Sequence, residues 1–205
     1  MDSHHINQSP TEQNTSPPRL VVGITGASGA ILGIRLLEVL KPTTIETHLV
    51  LSDSARLTIQ QETGQQIEDV LSLAHTHYDI HDVGASIASG SFMTIGMVVI
   101  PCSIKTLSAV ANSYTDDLIV RAADVTLKEG RPLVLIVRET PYHRGHLRLM
   151  DEAAQAGAVI FPPIPAFYIR PKTVDDLINN TVGRVLGRLG IHNDLYQEWH
   201  GQPDG

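Results

Sequence analysis

Val22-Gly-Ile-Thr-Gly-Ala-Ser-Gly-Ala-Ile-Leu-Gly33 is the stretch that decides the fold. An apolar run ends in a turn of small residues and passes at once into a helical pattern, as a strand does when it feeds a helix through a tight connection. The glycines and Ser28 let backbone N–H groups approach an anion at the helix N-terminus, where the dipole adds to the attraction. The spacing Gly23-x-x-Gly26-x-x-Gly29 is not the dinucleotide G-x-G-x-x-G, and no P-loop lysine follows. A nicotinamide dinucleotide is thus disfavoured, and a tight turn that binds nothing fits the same residues.

Outward from this turn, apolar runs alternate with helical patterns, which predicts an α/β fold with a parallel sheet between helices. Strands are expected at Leu20–Thr25, Glu46–Leu51, Met97–Ile100, Leu133–Val137 and Ala158–Phe161. Helices are expected at Ala30–Leu40, Asp53–Thr63, Ile67–Leu73, Lys105–Asn112, Asp116–Lys128, Leu147–Ala156 and Val174–Leu189. The clearest is Asp116–Lys128, with Thr115 placed to cap it, two acids in its first turn, Lys128 in its last and Gly130 beyond. Residues 1–18 carry almost no apolar side chains and end in two prolines, so they read as a flexible tail before a single domain over 19–205. Right-handed crossovers gather the loops after the strands along one sheet edge, where open sheets bind ligands.

Composition narrows the function. The 205 residues, 42% hydrophobic and 18% charged, suit one globular domain rather than two. A net charge of −7 gives no electrostatic footprint for nucleic acid or an anionic membrane. The longest apolar runs, Met97–Pro101 and Leu133–Val137, are too short to cross a bilayer. A lone cysteine, Cys102, forms no internal disulfide, and with no signal-peptide pattern the expected compartment is the cytoplasm.

Three features could carry chemistry. Ser52 and the Pro101-Cys-Ser-Ile-Lys-Thr106 run lie at strand ends, where hydroxyls and N–H groups suit a flavin or nucleotide phosphate and equally suit ordinary helix capping. Cys102 reads as inert packing. Of the 15 Lys and Arg residues none falls between Leu57 and Ile104, while 11 lie from Lys105 to Arg188, a concentration that could hold a phosphate. Arg121 and Lys128 share a helix face, although Asp117–Arg121 and Asp124–Lys128 are also i,i+4 pairs of a solvated salt-bridged surface. Arg138-Glu139 follows a buried strand, and Tyr168 and Arg184 could complete an anion clamp. The ten histidines match no closed zinc spacing and the acids no aspartate-rich magnesium pair, so metal-free chemistry is expected.

Taken together, Gly26-Ala-Ser-Gly-Ala30, Ala88-Ser-Gly-Ser-Phe92, Pro101-Cys-Ser-Ile-Lys-Thr-Leu-Ser108, Arg121-Ala-Ala-Asp-Val-Thr-Leu-Lys-Glu129, Arg138-Glu-Thr-Pro141, Pro163-Ile-Pro-Ala-Phe-Tyr168 and Trp199 resemble the UbiX flavin prenyltransferases, from Arg19 to about Trp199. The resemblance implies a Rossmann-like (flavodoxin-like) flavoprotein, typically a dodecamer, that joins a dimethylallyl group from dimethylallyl monophosphate to N5 and C6 of reduced FMN without metal. The product would serve UbiD-type decarboxylases, among them the one of ubiquinone synthesis. By the same resemblance Gly26, Ala27, Ser28, Ser52, the turn Ser103, Ile104, Lys105 and Thr106, and Arg138 hold FMN. Tyr168, Arg184 and Trp199 meet the allylic substrate, Arg121 and Lys128 lie nearby, and Glu62 and Glu139 are the matching acids. Helices of a neighbouring subunit could complete the pocket. The competing readings are a flavin-dependent decarboxylase of the cysteine type and a non-catalytic FMN carrier.

Overall fold

A computed structural model describes residues 16–196. The tail expected over residues 1–18 lies outside them except for its last three positions, and so does Trp199. Six strands run in chain order as β1 (Arg19–Ile24), β2 (Glu46–Leu51), β3 (Thr76–Tyr78), β4 (Gly96–Cys102), β5 (Leu133–Val137) and β6 (Val159–Ile160). Seven helices join them: α1 (Ala30–Leu40), α2 (Asp53–Thr63), α3 (Ile67–Leu71), α4 (Ile104–Ala111), α5 (Leu118–Lys128), α6 (Arg144–Gln155) and α7 (Val174–Arg188). The strands form one parallel sheet in the order β3-β2-β1-β4-β5-β6. The order reverses between β1 and β4, and that switch point opens a crevice at the carboxyl edge of the sheet.

Period-two alternation splits the strand side chains between two cores. Leu20, Val22, Ile24, Val98, Ile100, Val134 and Ile136 face α1, α2, α3 and α7. Val21, Met97, Val99, Leu133, Leu135 and Val137 face α4, α5 and α6. Helices on both faces explain why the central strands read as unbroken apolar runs. Gly33 lets α1 lie against the sheet, because a Cβ there would meet the Ile100 carbonyl oxygen at 2.4 Å and Ile24 Cδ1 at 2.7 Å.

Strand β6 keeps only Val159–Ile160 of the expected Ala158–Phe161, α3 ends at Leu71 rather than Leu73, and four further changes bear on the sheet and the helix starts. Strand β3, Thr-His-Tyr, carries no apolar run and holds its place by pairing with His48–Val50 at the sheet edge. Strand β4 continues through Pro101 to Cys102. Helix α6 starts at Arg144, since His143 Nδ1 accepts the Gly145 N–H at 2.9 Å and caps it. Helix α5 starts at Leu118, and its cap is Asp117 rather than Thr115: extended at φ −136°, Asp117 turns its carboxylate to accept the Val120 N–H at 2.9 Å. The backbone is engaged from Pro18 onward, where the carbonyl accepts the Glu46 N–H at 2.9 Å.

Candidate functional site

At the switch point a cavity of about 520 Å³ lies among the ends of β1, β2 and β4, lined by Gly26, Ser52, Ser54, Ser103, Lys105 and Thr106, with Asp53, His81 and Asp116 also along its walls. Two helices begin on it. Ser52 Oγ accepts the Ala55 N–H at 3.1 Å and heads α2. Ser103 Oγ accepts the Thr106 N–H at 3.3 Å and heads α4. The capping account of these serines therefore holds, and it leaves the site intact: among the described residues the Ile104 and Lys105 amides make no hydrogen bond, and both open at a helix N-terminus. Gly26 must be small here, since a Cβ would meet Ser54 Oγ at 2.3 Å. Hydroxyls, free amides and two converging helix N-termini form a donor set that fits the phosphate of a flavin mononucleotide.

Lys105 is committed elsewhere within the chain. Its Nζ donates to Asp117 Oδ2 at 3.0 Å and stands 3.9 Å from Asp116 Oδ2, and the hydrogen bond to Asp117 holds its pKa above the ordinary lysine value.

The glycine-rich turn itself already binds an anion, and it is internal. Glu62, from the last turn of α2, accepts the Gly29 N–H at 2.8 Å and the Ala30 N–H at 3.1 Å, so its carboxylate occupies the N-terminus of α1. Partial burial opposes ionisation. Hydrogen bonds from the Ser28 side chain and those two amides, with Arg138 nearby, outweigh it and hold the Glu62 carboxyl below its ordinary value. Gly26 of this turn still lines the polar cavity and Ser28 the apolar one.

On the far side of the same turn is a second cavity of about 270 Å³, largely apolar, walled by Ile31, Leu32, Pro163, Pro165, Leu177 and Ile178 with Ser28 and Arg138 on its lining. Arg138 is fixed at the backbone, where its N–H donates to the Cys102 carbonyl at 3.1 Å across the ends of β5 and β4. Ala27, buried, falls in the chain between Gly26 on the first lining and Ser28 on the second. Cys102 is fully buried, and burial pushes its thiol up to about 12, which makes it inert as read.

The remaining expected residues are dispersed within one chain. Glu139 follows Arg138, with its carboxylate accepting the Thr140 N–H at 2.9 Å. Tyr168 sits half exposed in a 3-10 turn at Phe167–Ile169, and Arg184 lies over the Phe161 ring at 5.9 Å. Neither lines the two cavities just described. Arg121 pairs with Asp124 at 3.5 Å and Lys128 with Glu129, replacing the i,i+4 pairs expected from spacing: Asp117 is turned into its cap and onto Lys105, and Asp124 goes to Arg121. Lys128 closes α5 ahead of β5 whereas Arg138 follows that strand. Its five residues at about 3.3 Å each put roughly 17 Å and the thickness of the sheet edge between the two ends.

Sequence reading missed Ser54, whose Oγ lies 3.1 Å from Ser52 Oγ on the cavity wall, and Thr25, which ends an apolar strand with a buried hydroxyl. The available signal for both was their position beside an already suspected residue at a strand end. Among the described residues no three His, Cys, Asp or Glu side chains cluster as metal ligands, and no helix is long and apolar enough to cross a membrane.

Residues 8–185 match the family model described as Flavoprotein. The flavin prenyltransferase UbiX of Escherichia coli K12 is 60% identical over 186 residues, 89% of this chain and 98% of that protein. The mitochondrial flavin prenyltransferase PAD1 of Saccharomyces cerevisiae is 50% identical over 202 residues, 97% of this chain and 84% of that one. Among solved structures, AnUbiX (PadA1) in complex with FMN and dimethylallyl pyrophosphate superposes with a TM-score of 0.89 at 48% identity, covering 91% of this chain and 100% of that chain. A dodecameric FMN-dependent UbiX-like decarboxylase from Escherichia coli O157:H7 gives 0.87 at 47% identity, covering 89% and 100%. Peptidyl-cysteine decarboxylase EpiD, at 18% identity and 0.61 over 84% of this chain and 98% of that one, shares the fold alone.

Proposed function

The chain belongs to the flavoprotein family, and on that premise we propose that it is a flavin prenyltransferase, joining a dimethylallyl group from dimethylallyl monophosphate to N5 and C6 of reduced FMN. The observation that carries this reading is the pair of cavities on either side of one turn: a hydroxyl-lined one headed by two helix N-termini, and an apolar one with Ser28 and Arg138 on its lining. The first suits a flavin phosphate, and the second suits a small branched hydrocarbon beside a cation.

Each residue type has work to do in such a reaction. Ser52, Ser103, Thr106 and the open Ile104 and Lys105 amides hold the flavin phosphate, with Gly26 and Ala27 admitting the ligand to the backbone. When bound, the reduced flavin supplies the nucleophilic nitrogen and the ring carbon that take the two new bonds. Cleavage of an allylic C–O bond builds positive charge on the prenyl carbons and negative charge on the leaving phosphate, so preorganised Arg138, Tyr168, Arg184 and Lys128 donors lower the barrier. The second bond would consume the remaining prenyl double bond, whose other carbon takes up a proton while Glu139 accepts the one lost from the ring carbon. Glu62 keeps Ser28 and the α1 N-terminus in register with Arg138.

Because Lys128 closes α5 toward the opposite end of β5 from Arg138, the reading includes a homo-oligomer, a dodecamer like the solved relative, in which a neighbouring copy supplies Lys128, while Arg121 in the first turn of α5 stays toward the cavity edge of its own chain. The product would pass to a UbiD-type decarboxylase in the cytoplasm. Anaerobic incubation of the purified protein with reduced FMN and dimethylallyl monophosphate should add one isoprene unit to the extracted flavin by mass. Unmodified flavin with both mono- and diphosphate donors would overturn the assignment.

A further inference from the structure

Thr25 stands between β1 and the glycine-rich turn, is 1% exposed, and spends its whole hydroxyl on a segment more than seventy residues away. Its Oγ1 donates to the Pro101 carbonyl at 2.8 Å and accepts the Ser103 N–H at 2.8 Å, while its own N–H donates to the same carbonyl at 3.2 Å. Ser103 in turn heads α4, its Oγ accepting the Thr106 N–H and lying 3.2 Å from Thr106 Oγ1. One hydroxyl therefore sets the position of both walls of the polar cavity: Gly26 is the next residue along the chain, and the Ile104 and Lys105 amides follow Ser103 directly.

We propose that Thr25 is a positioning residue for flavin binding, clamping the glycine-rich turn to the α4 N-terminus so that the open amides and hydroxyls converge on one anion. The assignment rests on the flavin reading above. Valine has the same shape without the hydroxyl and would leave the part-buried Ser103 N–H and one lone pair of the buried Pro101 carbonyl unpaired, freeing the α4 N-terminus to shift. Serine keeps both bonds.

The test compares the native protein with Thr25→Val and Thr25→Ser. In the flavin-free native protein the Ser103 amide should exchange with deuterium at least about tenfold more slowly than the Ile104 and Lys105 amides, as expected for one committed, part-buried bond. In Thr25→Val that protection should vanish and the FMN dissociation constant rise at least about tenfold, with KM for dimethylallyl monophosphate at saturating FMN within about twofold of native. Thr25→Ser should restore both readouts. FMN binding by Thr25→Val as tight as native, or native Ser103 exchanging as fast as its two neighbours, overturns the assignment. Should Thr25→Val fail to fold, the exchange comparison inside the native protein decides. A native protein that binds no FMN sinks the flavin reading and this assignment together, whereas tight native binding with Thr25→Val unimpaired sinks the assignment alone.

Discussion

Glu62 and His48 show how single titratable groups tie this protein's stability to pH. Glu62 has a folded-state pKa below the ordinary 4.5, so its contribution is complete above that value and fades as the pH falls through the lower one. His48 is buried on β2, with Nδ1 2.9 Å from the Tyr78 hydroxyl and Nε2 without a partner. Desolvation lowers its pKa from 6.5, assisted by Arg19 and His75 and opposed by Glu46. The unfolded chain therefore takes up a proton at His48 before the folded one does, and stability declines as the pH drops below about 6.5. Melting temperature followed from pH 8 downward should fall in two stages. His48→Gln should flatten the first, and the gap between native and Glu62→Gln should narrow only below about 4.5. A single acid transition untouched by either substitution would contradict this. The residue identities were visible in sequence, but Glu62's partner was not: the carboxylate and the Gly29 amide it caps lie 33 positions apart.

Asp117 both caps α5 and holds Lys105, and it is largely buried. Asp117→Ala should lower unfolding free energy by about 1–2 kcal/mol in urea titration, the usual cost of losing a cap, while Thr115→Ala should stay within about 0.5 kcal/mol. The reverse ranking would restore the cap suggested by spacing. Gly33→Ala drives a methyl group into backbone and Ile24 at once, so α1 must move off the sheet; a loss of about 1–3 kcal/mol is expected in the same assay. Helices α1 and α2 were legible to the residue because each has a strong apolar face or a serine cap. The start of α5 was not, because Thr115, Asp116 and Asp117 are all plausible caps and only the turn that Tyr114 and Asp116 make decides which carboxylate faces the helix.

Lys128 and Arg138 lie at opposite ends of β5 in one chain, and that arrangement predicts dependence on assembly. If Arg138 and Lys128 of different copies meet in one site, neither Arg138→Ala nor Lys128→Ala alone should turn over, yet mixed oligomers made by co-refolding both should recover activity. Random pairing leaves about a quarter of the sites with both native residues. Mixtures as inactive as the parents would place both groups in one chain's site. By itself the sequence determined the alternating α/β plan, five of the six strands and the residues at their carboxyl ends, because period-two and period-3.6 apolar patterns and glycine turns are local signals. Tertiary structure alone decided that β3 joins the edge, that Glu62 caps the α1 N-terminus, and that Thr25 locks β1 to β4. These depend on which hydrogen-bonding groups folding brings within about 3 Å of one another across long stretches of chain, and no local pattern encodes that distance.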